Sequence, residues 1–197
     1  MAFLERHQLE SMGFASLGED VRISHLASIY NPAGISLGSH VRIDDFCILS
    51  AGAGGIQIGD YVHIAAYCFL AGTGEIAMAD FSGLSSRVSI YSSSDDYSGA
   101  SLTNPTVPDA YKRVDHGDVH LERHVIVGSG AVILPGVTLQ QGSAVAALSL
   151  VSRSVPELTI VAGVPAKEVK KRLPGVFELE AKLRIEEVTH PRNTDSR

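Results

Sequence analysis

Three side chains in this sequence could carry proton chemistry: His63, Asp95 and His116. Histidine is the usual general base near neutral pH, whereas a carboxylate is a weak base for a hydroxyl but can bind a protonated amine. His63 stands in YVHIAAY at an outward strand position, and Asp95 and His116 lie in the long polar stretch YSSSDDYSGASLTNPTVPDAYKRVDHG. The two histidines are therefore candidates for a base, and Asp95 is one of the carboxylates in this stretch that could bind an amine.

Each candidate also has a plainer interpretation. His116 is equally well explained as a loop histidine that faces water, and Asp95 as a turn former among serines. His63 is equally well explained as one member of an outward column with Arg22 and Arg42. Which interpretation holds depends on the strands and loops that position these residues.

Those elements follow a six-residue repeat of aliphatic residues. The spacing is six within each triplet and eight or nine between the first triplets, and it resumes at six after one long gap. Residues two apart in a strand share a face, so Val21 and Ile23, like Val125 and Val127, point the same way. The eighteen repeat positions are Leu17, Ile23, Ile29, Leu37, Ile43, Leu49, Ile58, Ile64, Leu70, Met78, Leu84, Ile90, Leu121, Val127, Ile133, Leu139, Val145 and Val151.

This period predicts an all-β solenoid, a parallel β-helix of about six coils with three strands in each coil. The small residues after several repeat positions suit the corners. A β-sandwich is the alternative, but hairpins would not keep a six-residue register over eighteen positions. The period does not establish the handedness of the coil, and crossover rules alone would favour a right-handed one. The corner glycines are Gly18, Gly38, Gly59 and Gly128.

The repeat also divides the chain. We expect an N-terminal lead-in at 1–14, a β-helix domain at 15–165 with an inserted loop at 91–117, a C-terminal helical cap at 166–190 and a tail at 191–197. Val176, Leu179 and Leu183 have the spacing of a short amphipathic helix, which would cap the end of the solenoid. A long insertion in so regular a scaffold is more often functional than accidental.

Composition excludes several classes of function. The formal charge is −6 without a long basic run, which argues against nucleic acid and membrane surfaces as partners. No stretch approaches the roughly 18 apolar residues of a membrane span, and the N-terminus lacks the apolar core of a signal peptide, so we expect a cytoplasmic protein. Cys47 and Cys68 fall on inward positions, which favours core residues over a disulfide or metal site.

The segment HVIVGSGAVILPGVTLQQGSAVAALSLVSRSVPELTIVAGVPAKEVKKR resembles the hexapeptide-repeat acyltransferases. It is most similar to the branch of galactoside and maltose O-acetyltransferases and surface-polysaccharide sugar acetyltransferases. The resemblance covers residues 15–172 and is strongest from 119 onward. It implies a left-handed β-helix, a homotrimer with active sites in the grooves between subunits, and acetyl-CoA as co-substrate lying along such a groove.

The resemblance also implies which residues contact CoA. Two positions match those that touch the pantetheine arm, and four match those near its nucleotide end, where clustered cations attract phosphates. The alternative is that the first two are tight-turn residues and the lysines a solvated helix face. The implied contacts are Ser129 and Ala147 for the pantetheine arm, Ser152 and Arg153 for the nucleotide end, and Lys167 and Lys170 for the phosphates.

Two positions on the acceptor side depart from the family pattern. Asp95 stands where the galactoside and maltose enzymes have their histidine, and Ala65 stands in place of an active-site asparagine. His63 aligns with a tyrosine that faces the acceptor. A neutral amine needs no prior deprotonation to attack a thioester, so Asp95 makes an amino sugar a more attractive acceptor. The resemblance thus implies an acetyl-CoA-dependent O- or N-acetyltransferase for a sugar or nucleotide-linked aminosugar, in polysaccharide biosynthesis.

Three alternatives remain open at this point. An antibiotic acetyltransferase would share fold and cofactor. A metal-binding trimer of the γ-carbonic-anhydrase type would need three converging histidines, for which His63 and His120 are outward candidates. The AGVPAK segment argues for CoA instead, and the long polar insertion argues against a purely structural solenoid.

Overall fold

The six-residue repeat forms three parallel sheets that close a β-helix. The computed structural model describes residues 2–189, so the tail expected at 191–197 lies outside the described residues. All eighteen repeat positions lie in strands, and each strand pairs with the equivalent strand of the next coil. Register is kept throughout: Leu17 pairs with Leu37, and Leu37 with Ile58. The predicted solenoid of about six coils is confirmed, and a partial seventh coil follows the sixth.

We number the strands in chain order and the sheets by the order in which the chain enters them. Sheet 1 contains β1 (Ser16–Leu17), β4 (Ile35–Leu37), β7 (Ile56–Ile58), β10 (Ile76–Met78), β15 (Val119–Leu121) and β18 (Thr138–Leu139). Sheet 2 contains β2 (Arg22–Ile23), β5 (Arg42–Ile43), β8 (His63–Ile64), β11 (Gly83–Leu84), β16 (Ile126–Val127), β19 (Ala144–Val145), β21 (Thr159–Ala162) and β22 (Lys167–Lys171). Sheet 3 contains β3 (Ser28–Tyr30), β6 (Ile48–Ala51), β9 (Phe69–Gly72), β12 (Ser89–Tyr91), β17 (Val132–Ile133) and β20 (Leu150–Val151).

The core is a stack of aliphatic side chains inside the three sheets. Ile23, Ile43, Ile64 and Val127 of sheet 2 are completely buried, as their inward position predicts. Because each coil buries its apolar face only against its neighbours, the stack behaves as a solenoid. The two cysteines are buried and free, with Cys47 Sγ 3.1 Å from the carbonyl oxygen of Ala65, so they are core residues as expected.

The first corner, between sheets 1 and 2, is built from two kinds of residue. The predicted glycines are needed for close approach: a Cβ on Gly38 would lie 2.6 Å from the carbonyl carbon of Gly59. The left-handed backbone at this corner belongs instead to bulky residues, which sequence analysis did not anticipate. Tyr61 and Phe81 both have φ of 58°, and their rings stack with centroids 4.7 Å apart. The ladder of rings contains His40, Tyr61, Phe81 and His124.

The second corner lies between sheets 2 and 3, and the third between sheets 3 and 1. The insertion leaves the coil at the third corner and carries a two-stranded antiparallel ribbon, β13 (Ser93–Asp95) with β14 (Val114–His116). A 3₁₀ helix, Asp109–Tyr111, lies between the ribbon strands, and another, Pro32–Gly34, occupies an earlier third corner. A short helix, α1 (Arg6–Ser11), precedes the first coil and packs Leu9 into the core.

The C-terminal segment differs from the predicted helical cap at 166–190. Its first part is β22, which pairs antiparallel with β21, and the helix α2 (Gly175–Thr189) begins only after Pro174. The helix runs along the first corner rather than over the end of the solenoid. Its side chains contact the ring ladder and flanking residues of three coils, through Phe177, Glu180, Arg184 and Glu187.

Neither α1 nor α2, the two α-helices in residues 2–189, has the length and apolar character that crossing a membrane requires.

Candidate active site

A shallow groove of about 330 Å³ runs along the outer face of sheet 2 and into the second corner. Gly83 creates its floor: this residue sits between the outward side chains of His63 and Ile126 in the sheet. A Cβ on Gly83 would meet only the carbonyl oxygen of His63, at 3.6 Å, so the space above it is open. The groove is lined by His63, Ala65, Gly83, Leu84, Ser85, Ser86, Ile126 and Ser129.

The structure brings the two expected pantetheine contacts together at the second corner. The strands of consecutive coils pair Leu84 with Val127 and Val127 with Val145. Each of these residues is followed two positions later by a corner residue. These corner residues, which therefore stack in one column, are Ser86, Ser129 and Ala147. The N–H of Leu148 donates to the Ser129 carbonyl at 2.9 Å, which fixes this stacking. Ser129 and Ala147 are both exposed. Their shared position and exposure suit contact with one extended ligand.

The two lysines lie at the far end of the same sheet. β22 adds to β21 with Lys167 opposite Ala162 and Lys170 opposite Ile160. Ile160 pairs with Ala144, which pairs with Ile126, so Lys170 extends the outward row that begins beside the groove. Both lysines are exposed. They lie on a strand, which overturns the interpretation of them as a solvated helix face.

Ser152 and Arg153 lie elsewhere. They follow β20 of sheet 3 and are exposed at the third corner, whereas Ser129 and Ala147 lie at the second. Within one chain the six expected CoA contacts therefore form two separate groups.

His63 is held by a carboxylate that sequence analysis missed. Its Nε2 lies 2.9 Å from Oδ2 of Asp44, whose Oδ1 accepts a 2.7 Å hydrogen bond from Nε of Arg42. Burial raises the pKa of Asp44, but the hydrogen bonds from His63 and Arg42 outweigh it and hold that pKa below its ordinary value. The repeat places Asp44 directly after Ile43, which stacks on Ile64, but no sequence pattern marks this carboxylate as the partner of His63.

The expected outward column is also present. Arg22, Arg42 and His63 occupy successive outward positions of sheet 2. His63 thus belongs to this column and lines the groove at the same time, so the two interpretations of His63 are compatible.

Asp95 and His116 lie on the same face of the ribbon. Asp95 pairs with Val114 and Ser93 with His116, so all four side chains lie on one face of the ribbon. The Oγ of Ser93 is 2.8 Å from Nδ1 of His116. Asp95 is part of a strand rather than a turn, and the ribbon places it diagonally across from His116. A carboxylate and an imidazole on one face can bind a cationic group and exchange its proton.

The ribbon and the groove lie at different corners of the same chain. The ribbon leaves after β12 at the third corner, and the groove opens at the second corner after β11. Asp95 and His116 therefore form one group, and His63, Ser129 and Ala147 another.

The histidines that a metal site would need are also apart. His63 projects from sheet 2 and His120 from sheet 1, where its Nε2 is 3.5 Å from Oε2 of Glu75. Among residues 2–189, no three histidine, cysteine, aspartate or glutamate side chains are grouped so that they could hold a metal ion.

The chain is similar over nearly its whole length to a known enzyme. No family model matches the chain. It is 48% identical over 181 residues to a dTDP-4-amino-4,6-dideoxy-D-glucose acyltransferase of Escherichia coli, an alignment that spans 92% of this chain and 94% of that protein. The chain belongs to the dTDP-aminosugar acyltransferases. It is therefore an enzyme, an acyltransferase, as the hexapeptide resemblance implied.

Solved structures of an N-acyltransferase have the same fold as this chain. AntD, an N-acyltransferase from Bacillus cereus in complex with dTDP and 3-hydroxybutyryl-CoA, superimposes with a TM-score of 0.90 at 45% identity, covering 94% of this chain and 98% of that one. A variant of AntD in which a serine is replaced by alanine was solved in complex with dTDP-4-amino-4,6-dideoxyglucose and Coenzyme A. A maltose O-acetyltransferase from Clostridium difficile 630 shares the fold with a TM-score of 0.58 at 19% identity, over 85% of this chain and 75% of that one.

Proposed function

We propose that this acyltransferase moves the acetyl group of acetyl-CoA to the amino group of dTDP-4-amino-4,6-dideoxyglucose. The observation that carries the proposal is the 48% identity to a dTDP-4-amino-4,6-dideoxy-D-glucose acyltransferase over nearly the whole of both chains. Asp95 supports an amine as acceptor, because it stands in place of the histidine of the sugar O-acetyltransferases. AntD was solved with 3-hydroxybutyryl-CoA, so that thioester is the second donor to test.

In this proposal the groove on sheet 2 receives the thioester. Ser129 and Ala147 line the path of the pantetheine arm, and the cations of Lys167 and Lys170 lie farther along the same sheet, where phosphates would be attracted. Arg153 and Ser152 lie at the third corner. They would meet the same CoA only from a neighbouring subunit, which supports the homotrimer as part of the proposal.

The acceptor would be held by the ribbon of that neighbouring subunit. The carboxylate of Asp95 binds the protonated amine of the sugar and orients it toward the groove, with His116 on the same face. After the ammonium has released one proton to solvent, the lone pair of the neutral amine attacks the thioester carbonyl. The C–N bond forms, the C–S bond breaks, and CoA leaves. The nitrogen loses a second proton as the amide forms, and His63 and His116 are the two candidates for accepting it. A cytoplasmic location belongs to the same proposal.

The ribbon offers a matched test of the acceptor site. Asp95→Asn removes the charge that binds the ammonium, whereas Asp115→Asn changes a carboxylate on the opposite face of the same ribbon, where it pairs with Arg113. Loss of a hydrogen bond to a charged group costs about 1.5–3 kcal/mol, so we expect Asp95→Asn to lower kcat/KM for the aminosugar about 10- to 100-fold. Asp115→Asn should keep the wild-type value.

The measurement is thiol release from acetyl-CoA with the dTDP-aminosugar as acceptor, run in parallel with the analogue that has a hydroxyl in place of the amine. Equal losses in the two variants would contradict the role of Asp95. Turnover of the hydroxyl analogue at the rate of the amine would contradict N-acylation.

A further inference from the structure

His63, which lines the groove, forms with the carboxylate of Asp44 a pair that has the geometry of an oriented base. The side chain of Asp44 is only 10% exposed, whereas that of His63 is 52% exposed. The buried oxygen Oδ2 of Asp44 is 2.9 Å from Nε2 of His63. The carboxylate therefore holds the ring from behind while the ring lies open to the groove.

This contact determines which ring nitrogen carries the proton. Asp44 is ionised at neutral pH, because Arg42 and His63 hold its pKa low against the effect of burial. An ionised carboxylate only accepts hydrogen bonds, so Nε2 of His63 must donate to it. In the neutral ring Nδ1 then carries a lone pair and is the nitrogen that can accept a proton.

The surroundings of His63 leave this nitrogen available to a ligand. On the outer face of sheet 2, the neighbour on one side is Arg42, which is engaged with Asp44, and the neighbour on the other side is Gly83. Gly83 has no side chain, and the space above it is open. Ser85, Ser86 and Ser129 complete the groove around the ring.

We propose that Asp44 is the positioning residue of His63, and that the pair removes the proton that the acceptor amine loses during acyl transfer. The inference rests on the proposed function and deepens it, because it chooses between the two histidines left open there. His63 contacts the reacting group, and Asp44 acts through His63.

The step starts from the neutral amine, whose ammonium form has already released one proton to solvent, and it then balances without a further reactant. The amine nitrogen forms a bond to the thioester carbonyl carbon and gives a proton to Nδ1 of His63. The imidazolium so formed is stabilised by the Asp44 carboxylate at Nε2. The C–S bond breaks, the electron pair goes to sulfur, and the CoA thiolate takes the proton back from Nδ1. Amide, CoA thiol and neutral His63 result.

A second cluster, at the first corner, serves as a control. Asp20 accepts a 3.0 Å hydrogen bond from Nε of Arg22 and lies 3.2 Å from Nδ1 of His40 in the next coil. This Arg–Asp–His arrangement repeats the one at Asp44, but His40 stacks in the ring ladder of the first corner and does not line the groove. Asp20→Asn therefore makes the same chemical change outside the proposed site.

The kinetic test is a double-mutant cycle on acetyl transfer to the dTDP-aminosugar. Loss of a general base typically costs 10²- to 10⁴-fold, so we expect His63→Ala to lower kcat about 100-fold or more and Asp44→Asn about 10-fold or more. In the His63→Ala background, Asp44→Asn should change kcat less than about twofold, because a positioning residue has nothing left to position. Asp20→Asn should leave kcat and KM unchanged. Independent, additive losses would overturn the proposal.

A second measurement tests, without turnover, which ring nitrogen of His63 carries the proton. Nitrogen-15 spectra of labelled histidine, with the His63 signal assigned from its absence in His63→Ala, should show Nε2 protonated and Nδ1 bare in the wild type at mildly basic pH. Asp44→Asn should give a mixture of tautomers, and Asp20→Asn the wild-type signal. A wild-type His63 protonated at Nδ1 overturns the inference. If the wild-type enzyme acylates no aminosugar, the proposed function is wrong. The spectra still test, independently of turnover, whether Asp44 fixes the tautomer of His63.

Discussion

Gly83 lies in β11 of sheet 2 and Gly128 directly follows the neighbouring strand β16, yet the structure leaves very different space around them. A Cβ on Gly83 would meet one oxygen at 3.6 Å, which is ordinary van der Waals contact. A Cβ on Gly128 would lie 2.5 Å from the backbone nitrogen of Ala147, in the next coil. The first glycine keeps the groove open, and the second allows two coils to stack.

Substituting these glycines should therefore separate ligand binding from stability. We expect Gly83→Val to raise KM for acetyl-CoA about 10-fold, because the added side chain occupies the groove, with little change in the thermal midpoint. We expect Gly128→Ala to lower stability by about 1–3 kcal/mol, because a methyl group is forced against backbone. Calorimetry and steady-state kinetics on both variants check this. A fall in stability for Gly83→Val with an unchanged KM would contradict the assignment of the groove.

Residue patterns predicted some of the site but not its connections. The family resemblance implied that Ser129 and Ala147 both contact the pantetheine arm, and the coil period places them in one column. Asp44 was not found, because its significance lies in a contact with a side chain 19 residues away. A carboxylate that follows a repeat position is indistinguishable in sequence from an ordinary corner residue.

At the scale of elements, helix α2 clamps the first corner of the solenoid. Glu180 is buried between Arg123 and His124 of the corner and Arg184 of its own turn, at 2.5 to 2.8 Å. Phe177 packs edge-on against His124, with the centroids 5.4 Å apart. The amphipathic spacing predicted a helix, but spacing cannot identify the surface on which a helix docks. That surface is specified by pairs such as Arg184 with Asp80, far apart in the chain.

The Glu180 clamp makes stability depend on pH in one direction. Burial opposes ionisation, but hydrogen bonds from Arg184, His124 and Arg123 lower the pKa of Glu180 from 4.5 to about 2. A lowered pKa stabilises the folded state above the unfolded value, and the gain is lost as pH falls through the folded value. We expect Glu180→Gln to cost about 2 kcal/mol at neutral pH, since its partners lose a charged acceptor.

That cost should shrink between about pH 4.5 and about pH 2, where the wild-type carboxylate becomes protonated. Urea unfolding of both proteins across this range measures it. Glu178→Gln, an exposed position of the same helix, is the matched control and should show no such trend. A difference between wild type and Glu180→Gln that stays constant with pH would show that the charge of Glu180 does not hold the helix.

At the scale of the whole molecule, the six-residue period predicted the coils, the inward residues and the place of the insertion. It could not predict the corner conformation, because Tyr61, Phe81 and His124 have a left-handed backbone that bulky residues rarely adopt, and their rings stack between coils. It also could not show that the candidates fall into two groups at two corners. In a single chain the ribbon with Asp95 and the groove with His63 are separate, so the complete site in our proposal needs two copies.

The central claim is that an amine, and not a hydroxyl, of a dTDP-linked sugar receives the acyl group. The most direct measurement is to incubate the wild-type enzyme with acetyl-CoA and dTDP-4-amino-4,6-dideoxyglucose and to analyse the product by mass spectrometry before and after mild alkaline treatment. We predict one added acetyl group per sugar, held in an alkali-stable amide. No product with either acetyl-CoA or 3-hydroxybutyryl-CoA, or an ester that mild alkali removes, would contradict it.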